Sequence, residues 1–427
     1  MTGVKRWGSP IRAFVELSLT ATALIVSSCA PSTSSSPSGS ISWESLSQGQ
    51  TVYGIVKLTA RASSDNISGV KFYLDGTENN HLISIAEGEG NSIYTCDWYT
   101  QDFTNGNHIL YAVASFTEGP PVQASMAVTV DNRTRADSIP PGVIKMTPAN
   151  DSAPPQLAPS FKDFWYDPVP LAGLINTAGA EDSPFITPDG NTFYFWFNGD
   201  ESKDVPQQVN DPMTGIYVSK KINGLWGEPA RLFLQYFGKL GFDGGETVRG
   251  NTLWFASIRE GNYRDIDMWT AEFTDGRWTR WANAGKLINK DYEIGELHVT
   301  ADGNEIYFGS PRAGGKGQLD IWVTRKVDGQ WQTPENIEAV NTTGSESHPF
   351  ISENGAELWF TRDIGGPAIF RSLKVGGKWQ APEMVVSPLA GEPTLDSEGN
   401  LYFTHHRWDS ALNRVSEADI YVCYRKR

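Results

Sequence analysis

A glutamate opens each of five similar segments in the C-terminal part of this chain: Glu181, Glu246, Glu296, Glu346 and Glu392. Carboxylates can move protons, hold a cation or pair with a guanidinium, and their neighbours decide which. Three segments offer an arginine and an aspartate at matched positions: Glu246/Arg259/Asp267, Glu296/Arg312/Asp320 and Glu392/Arg407/Asp419. An arginine forked between two carboxylates is a stable bidentate arrangement, so these nine residues are expected to pin strands together. The other two segments break the pattern. Glu181 is followed by Asp182 but has Asn198-Gly199 and Gly215 where the arginine and aspartate should stand. Glu346 has His348, a displaced Arg362, and Ala368 in place of the aspartate. Carboxylates without a built-in partner are expected to hold protons or a ligand. The expected binding set is therefore Glu181, Asp182, Asn198, Glu346 and His348, joined at the same mouth by Glu296 and His298.

His298 and His348 each follow a glutamate by two residues. Imidazole and carboxylate are metal-ligand types, and a divalent cation such as calcium would suit them. No His-x-x-x-His spacing supports a metal, and no resident cofactor is expected. His405 and His406 are adjacent, so a strand points them to opposite faces. If the chain were an enzyme, Glu181, Glu296 and Glu346 are the candidate catalytic carboxylates. No Ser-His-Asp order, phosphate-binding loop or Cys-rich metal motif is present.

These residues must be positioned by a repeat. After each glutamate comes a turn, such as Asp189-Gly190, Asp302-Gly303 or Asn354-Gly355, and then an aromatic strand: Phe193-Tyr194-Phe195, Leu253-Trp254-Phe255, Ile306-Tyr307-Phe308, Leu358-Trp359-Phe360, Leu401-Tyr402-Phe403. A third strand centres on Tyr217, Trp269, Trp322, Phe370 and Tyr421, and a Gly-x-Trp element follows in four copies. Several strands per unit, at a spacing of roughly 46–65 residues, is the signature of a β-propeller. The last unit lacks its Trp element. Trp165-Tyr166-Asp167-Pro168, running to Ile175-Asn176-Thr177, supplies the missing piece ahead of the first unit. A five-bladed propeller is expected, with an N-terminal strand completing the last blade and removing an open edge.

Ile186-Thr187-Pro188-Asp189-Gly190, Val299-Thr300-Ala301-Asp302-Gly303, and Arg312-Ala313-Gly314-Gly315 through Leu319-Asp320-Ile321-Trp322 resemble the WD-like propeller repeats of the TolB type. The resemblance implies a fold common in bacterial envelope proteins. It carries no catalytic residues, because this fold hosts binding proteins, scaffolds and enzymes alike. Five-bladed propellers also house glycosidases of the arabinanase and levansucrase types, which pair inner-strand carboxylates.

The N-terminus reads as an address. Lys5, Arg6 and Arg12 precede an apolar run from Phe14 to Val26, too short to span a bilayer comfortably, so residues 1–28 read as a signal peptide. Val26-Ser27-Ser28-Cys29 resembles the lipobox of bacterial lipoproteins, which implies lipidation of Cys29. Residues 29–40 form a Ser/Pro-rich tether. Residues 41–131 show short alternating strands and are expected to form a β-sandwich. The stretch Gly69 to Gly76, with Trp98 and Asn105-Gly106-Asn107-His108, resembles bacterial Ig-like domains, which implies a spacer or accessory binding module. Residues 132–160 are Pro-rich and expected to be an extended linker, and 161–427 the propeller.

The net charge of −15 argues against nucleic acid as a partner. Cys96 and Cys423 fall in different units, so no disulfide is expected. The reading is an all-β protein of the cell envelope, an Ig-like sandwich followed by the propeller, held to a membrane through Cys29. Its role is expected to be binding an envelope protein or a glycan at the Glu-rich channel mouth. The competing reading is a carbohydrate-active hydrolase or lyase.

Overall fold

The computed structural model describes residues 39–64, 66–409 and 414–427. The signal peptide, Cys29 and most of the tether lie outside the described residues. Among the described residues no helix is long and apolar enough to cross a membrane.

The chain is nearly all β. The N-terminal unit packs two sheets face to face. One runs in the order Ser40–Trp43, Ile55–Ser63, Ile93–Tyr99, Glu87–Gly90. The other runs Gln50–Val52, Val122–Val130, Gly106–Phe116, Ile67–Leu74, Leu82–Ile85. The alternation of Val56, Leu58, Ala60 and Ala62 with Lys57, Thr59 and Arg61 puts every second residue inside, as the two-residue period of a strand requires. Trp98 fills the centre with Phe72, Leu110 and Val128.

Beyond it stand five antiparallel sheets among the described residues. Sheet I has Ala180–Ile186 innermost, then Thr192–Asn198, Gly215–Ile222 and the short Ala230–Arg231. Sheet II runs Phe242–Arg249, Thr252–Ile258, Asp267–Thr274, Arg277–Asn283. Sheet III runs Leu297–Val299, Glu305–Ser310, Asp320–Val327, Glu335–Asn336. Sheet IV runs Glu346–Ile351, Glu357–Asp363, Pro367–Val375, Glu383–Ser387, and Gln156–Leu157 adds its outer edge. Sheet V runs Ala390–Leu395, Leu401–Asp409, Arg414–Cys423 and Val169–Pro170. The last sheet is thus completed by a strand that precedes the first, with Val169 opposite Val422 and Pro170 opposite Tyr421. Buried asparagines stitch the third strands of sheets II, III and V to the connecting segments beside them. Asn176 bonds both backbone groups of Ile420, and Asn341 and Asn289 do the same for Ile321 and Met268.

The inner hairpins turn where the sequence indicates. Thr187 Oγ1 donates to Asp189 Oδ1 at 2.6 Å, Thr300 to Asp302 at 2.6 Å, and Ser352 to Asn354 at 2.8 Å. Gly190 follows at φ +70°, a conformation side chains resist.

Residues 132–160 are not an extended spacer. Arg135, Met146 and Leu157 are buried, and Met146 N donates to Glu417 Oε1 at 2.6 Å. Proline content signalled extension, but these anchors have sockets in sheets I, IV and V, and burying them outweighs extension. The sandwich also touches the sheets. Phe237 N donates to Ile55 O at 2.7 Å, and Arg277 lies over the Tyr99 ring and pairs with Asp102. Cys96 and Cys423 are both free.

Candidate functional site at the sheet axis

The innermost strands of four sheets carry a bulge that fixes which residues meet at the axis. Pairing slips between Asp182 and Phe185, Gly244 and Thr247, Ser347 and Phe350, and Gly391 and Thr394. The bulged residues Ser183, Gly245, His348 and Glu392 take φ of 48°, 59°, 50° and 58°. A left-handed backbone at non-glycine residues costs free energy and re-aims the side chain. In sheet III, His298 faces Tyr307 as Phe350 faces Trp359, which places Glu296 in the same ring. The axial ring is therefore Ser183, Gly245, Glu296, His348 and Glu392. One level in lie Phe185, Thr247, His298, Phe350 and Thr394.

The five glutamates are consequently not equivalent. Glu181 aligns with Asp243, Ile294, Glu346 and Ala390, while Glu296 and Glu392 sit two positions further along. Counting from each glutamate misaligns sheets II, III and V, because the bulge, not the residue type, sets the register.

Within the ring, His348 Nε2 meets Glu296 Oε2 closely and lies 3.4 Å from Glu392 Oε1. Its Nδ1 is 2.7 Å from Ser347 Oγ. Glu392 Oε2 accepts from Ser183 N at 2.7 Å and from Thr404 Oγ1 at 2.9 Å, and that hydroxyl lies 3.3 Å from Asp182 Oδ1. Burial, and then the charge of Glu392, push Asp182 up to about 8. Burial pushes His348 down to about 4, against the pull of Asp182. At neutral pH the imidazole is therefore uncharged, its Nε2–H donating to Glu296 and its Nδ1 accepting from Ser347.

One level deeper, His298 Nδ1 accepts from Ile351 N at 3.3 Å, so its Nε2 carries the proton. That Nε2 has no partner among the described residues, and burial pushes the ring down to about 3. Glu246 is 6% exposed, with neither carboxyl oxygen partnered among the described residues. Burial raises its carboxyl well above the ordinary range, and Asp182 and Glu392 add to the effect. Both groups line a cavity of about 50 Å³ with Glu296, His348 and Glu392.

Where the inner strands of sheets IV and V begin, a concavity of about 780 Å³ opens, lined by His348, His406, Trp408, Thr361, Asp363 and Asp151. His348 lines both spaces. Trp408 is 45% exposed.

The remaining expected site residues fall elsewhere. Glu181 is fully buried and accepts from Thr177 N at 2.8 Å, Thr177 Oγ1 at 2.5 Å and Arg135 Nη1 at 3.3 Å. Burial still pushes it up to about 8. Glu346 accepts from Thr342 N at 3.0 Å, Thr342 Oγ1 at 2.6 Å and Arg362 Nε at 2.8 Å. Thus the two carboxylates expected to lack partners have them. Asn198 is buried and bonds Glu201 at 2.9 Å.

The three expected forks do not assemble. Arg259 pairs with Asp243 rather than Glu246 or Asp267. Asp267 accepts from Tyr263 N, Arg264 N and Asn283. Arg312 lies over the Trp322 ring at 4.9 Å, and Asp320 accepts from Lys316 N, Gly317 N and Asn336. Arg407 pairs with Glu417 at 3.5 Å, and Asp419 is buried with neither oxygen partnered. Arginines do pin strands, but on neighbours the repeat pattern did not name. Among the described residues no group of three or more His, Cys, Asp or Glu is arranged to hold a metal ion.

Asp243, Thr404, His406 and Trp408 were missed. The prolines Pro184, Pro349 and Pro393, each one residue after the ring, could have revealed the true alignment.

Residues 40–112 match the family model of the bacterial Ig domain. Comparison with curated proteins gives no match. Among solved structures, the endo-β-1,4-mannanase from Thermotoga petrophila is 20% identical, over 22% of this chain and 20% of its own, with a TM-score of 0.20. This chain thus spans about a fifth of the mannanase's length. The endo-arabinase from Bacteroides thetaiotaomicron is 16% identical over 59% of this chain and 96% of its own, at a TM-score of 0.39. The putative TolB from Agrobacterium tumefaciens is 14% identical over 83% and 98%, at 0.32. These likenesses concern the fold, and the chemistry must be read from the side chains.

Proposed function

We propose that the five sheets are the blades of one closed propeller, and that its mouth between sheets IV and V binds a glycan on the outside of a bacterial cell. The observation that carries this is the 780 Å³ concavity, with an exposed Trp408 beside His406, Asp151 and Asp363. A flat apolar ring flanked by hydrogen-bonding groups suits a sugar ring, which has an apolar face and polar edges. The expected site at sheets I and IV moves by one sheet, because Glu181 and Glu346 are engaged. An envelope address through lipidated Cys29 remains part of this proposal, supported by the lipobox and the bacterial Ig domain. Binding a protein partner at the same mouth is the less favoured form, since a concavity of about 780 Å³ is of small-ligand size.

The test is a thermal-shift and calorimetric screen of the full-length chain against oligosaccharides. A binding sugar raises Tm by mass action, and Trp408→Ala loses roughly tenfold or more in affinity. Equal binding by Trp408→Ala places the site elsewhere. Hydrolysis is the second reading, favoured by Asp182 holding a proton beside Glu392. Release of reducing ends that stops in Asp182→Asn would establish it.

A further inference from the structure

We infer that the group recognised at the floor of the mouth is a primary ammonium, carried by an amino sugar with a free amine. This rests on the mouth being the binding site, and it names the chemistry of what enters. Three independent features converge. The first is charge. Among the described residues neither Glu296 nor Glu392 is ion-paired with a lysine or arginine; each has only His348. One imidazole shared between two carboxyl groups supplies at most one positive charge to the pair. A cation entering from the mouth would add the counter-charge that the imidazole alone cannot.

The second is the pair of groups below them. Glu246 offers two unpartnered oxygens, and His298 an unpartnered Nε2, in the same small space. Both side chains are more than nine-tenths buried, at 6% and 3% exposure. Buried polar atoms left unpaired cost free energy, so two residues that carry such atoms and line one cavity mark a place that a polar occupant completes. An ammonium donates three hydrogen bonds and accepts none. It satisfies Glu246, Glu296 and Glu392. A bridging water accepts from His298 Nε2–H.

The third is size. A water-sized group needs ~10–15 Å³ of such space, so about 50 Å³ holds an ammonium and one or two waters but no sugar ring. The ring must stay in the 780 Å³ concavity, where Trp408 offers its face. An amino sugar divides in this way, with a bulky ring outside and a compact cation inside. A lysine side chain brings the same cation but gives Trp408 nothing to stack on.

The test compares full-length protein with oligomers of glucosamine, of N-acetylglucosamine and of glucose, and with a lysine-containing tripeptide, by calorimetry. Glucosamine oligomers should bind best, and raising salt should weaken them. Glu296→Gln and Glu392→Gln should each lose roughly thirtyfold or more. Glu246→Gln, which keeps the shape but replaces one carboxyl oxygen with an amide NH2 and leaves a group that cannot ionise, should lose affinity while retaining or raising Tm. That behaviour separates binding from misfolding. Neutral or acetylated oligomers binding as well as glucosamine, with Glu392→Gln unaffected, would overturn the ammonium while leaving glycan binding intact. Tripeptide binding indifferent to Trp408→Ala would overturn the amino sugar in favour of lysine. Binding of none of the four would overturn this inference, and the wider oligosaccharide screen then decides the glycan reading separately.

Discussion

At the scale of single residues, the molecule keeps several buried carboxyls whose protons it must manage. Asp419 is the plainest case. It has no hydrogen-bond partner among the described residues, and burial, then the nearby Glu181, push it up to about 8. Between the ordinary carboxylate range and about 8, the folded chain holds a proton that the unfolded chain has released, so stability falls as pH rises through that window. Asp182 and Glu181 act in the same direction. Asp419→Asn should therefore stabilise by roughly 1–3 kcal/mol at pH 8 and far less near pH 5. Chemical denaturation at the two pH values checks it; an equal effect at both would mean Asp419 is ionised in the native state. His348 and His298 work the opposite way. Their lowered values remove stability as pH falls below the ordinary imidazole range, so the histidines oppose the carboxyls where the two windows overlap, and above that range the carboxyls alone act and stability falls toward pH 8.

At the scale of elements, the segment between the two units works as a strap. Arg135 enters sheet I, where its guanidinium caps the carbonyls of Leu174 and Ile175, reaches Glu181 and lies over Phe195. Arg362 does the same in sheet IV, on Val340 O, Glu346 and Phe360. Sheet I has Phe197 where sheet IV has Arg362, and a cation from outside the repeat fills the gap. In sheet V the strap supplies the acid instead, Asp151 meeting His405 at 3.0 Å. Removing one partner of a buried pair strands the other, so Arg135→Ala should cost about 3–5 kcal/mol. Urea denaturation measures this. A loss below about 1 kcal/mol would show that sheet I closes without the strap.

At the scale of the whole molecule, the sandwich and the sheets share contacts at Ile55, Tyr236 and Arg277, so the Ig domain sits against the propeller rather than at the end of a free spacer. Any lipid at Cys29 would then hold the mouth through the tether alone. Cys29→Ser should move the protein from the membrane to the soluble fraction on cell fractionation, and retention in the membrane would remove the anchor from the proposal.

Much of this was legible in the order of residues. Strand alternation, the Thr-x-Asp-Gly turns and the aromatic second strands depend on local rules, and they specified five β units, with Val169–Pro170 joining the last. The pairing of Thr177 with Glu181 and Thr342 with Glu346 follows from one spacing in both copies. The tertiary structure alone decided which side chains share the axis. A bulge adds one residue to a strand without changing its composition, so counting from a glutamate places Glu246 beside Arg259 when folding places Asp243 there. Likewise Arg135 is far from Glu181 along the chain, and only the path of the strap brings it back. Local sequence set what each strand is. Register and chain path, which depend on contacts between distant residues, set what the strands hold between them.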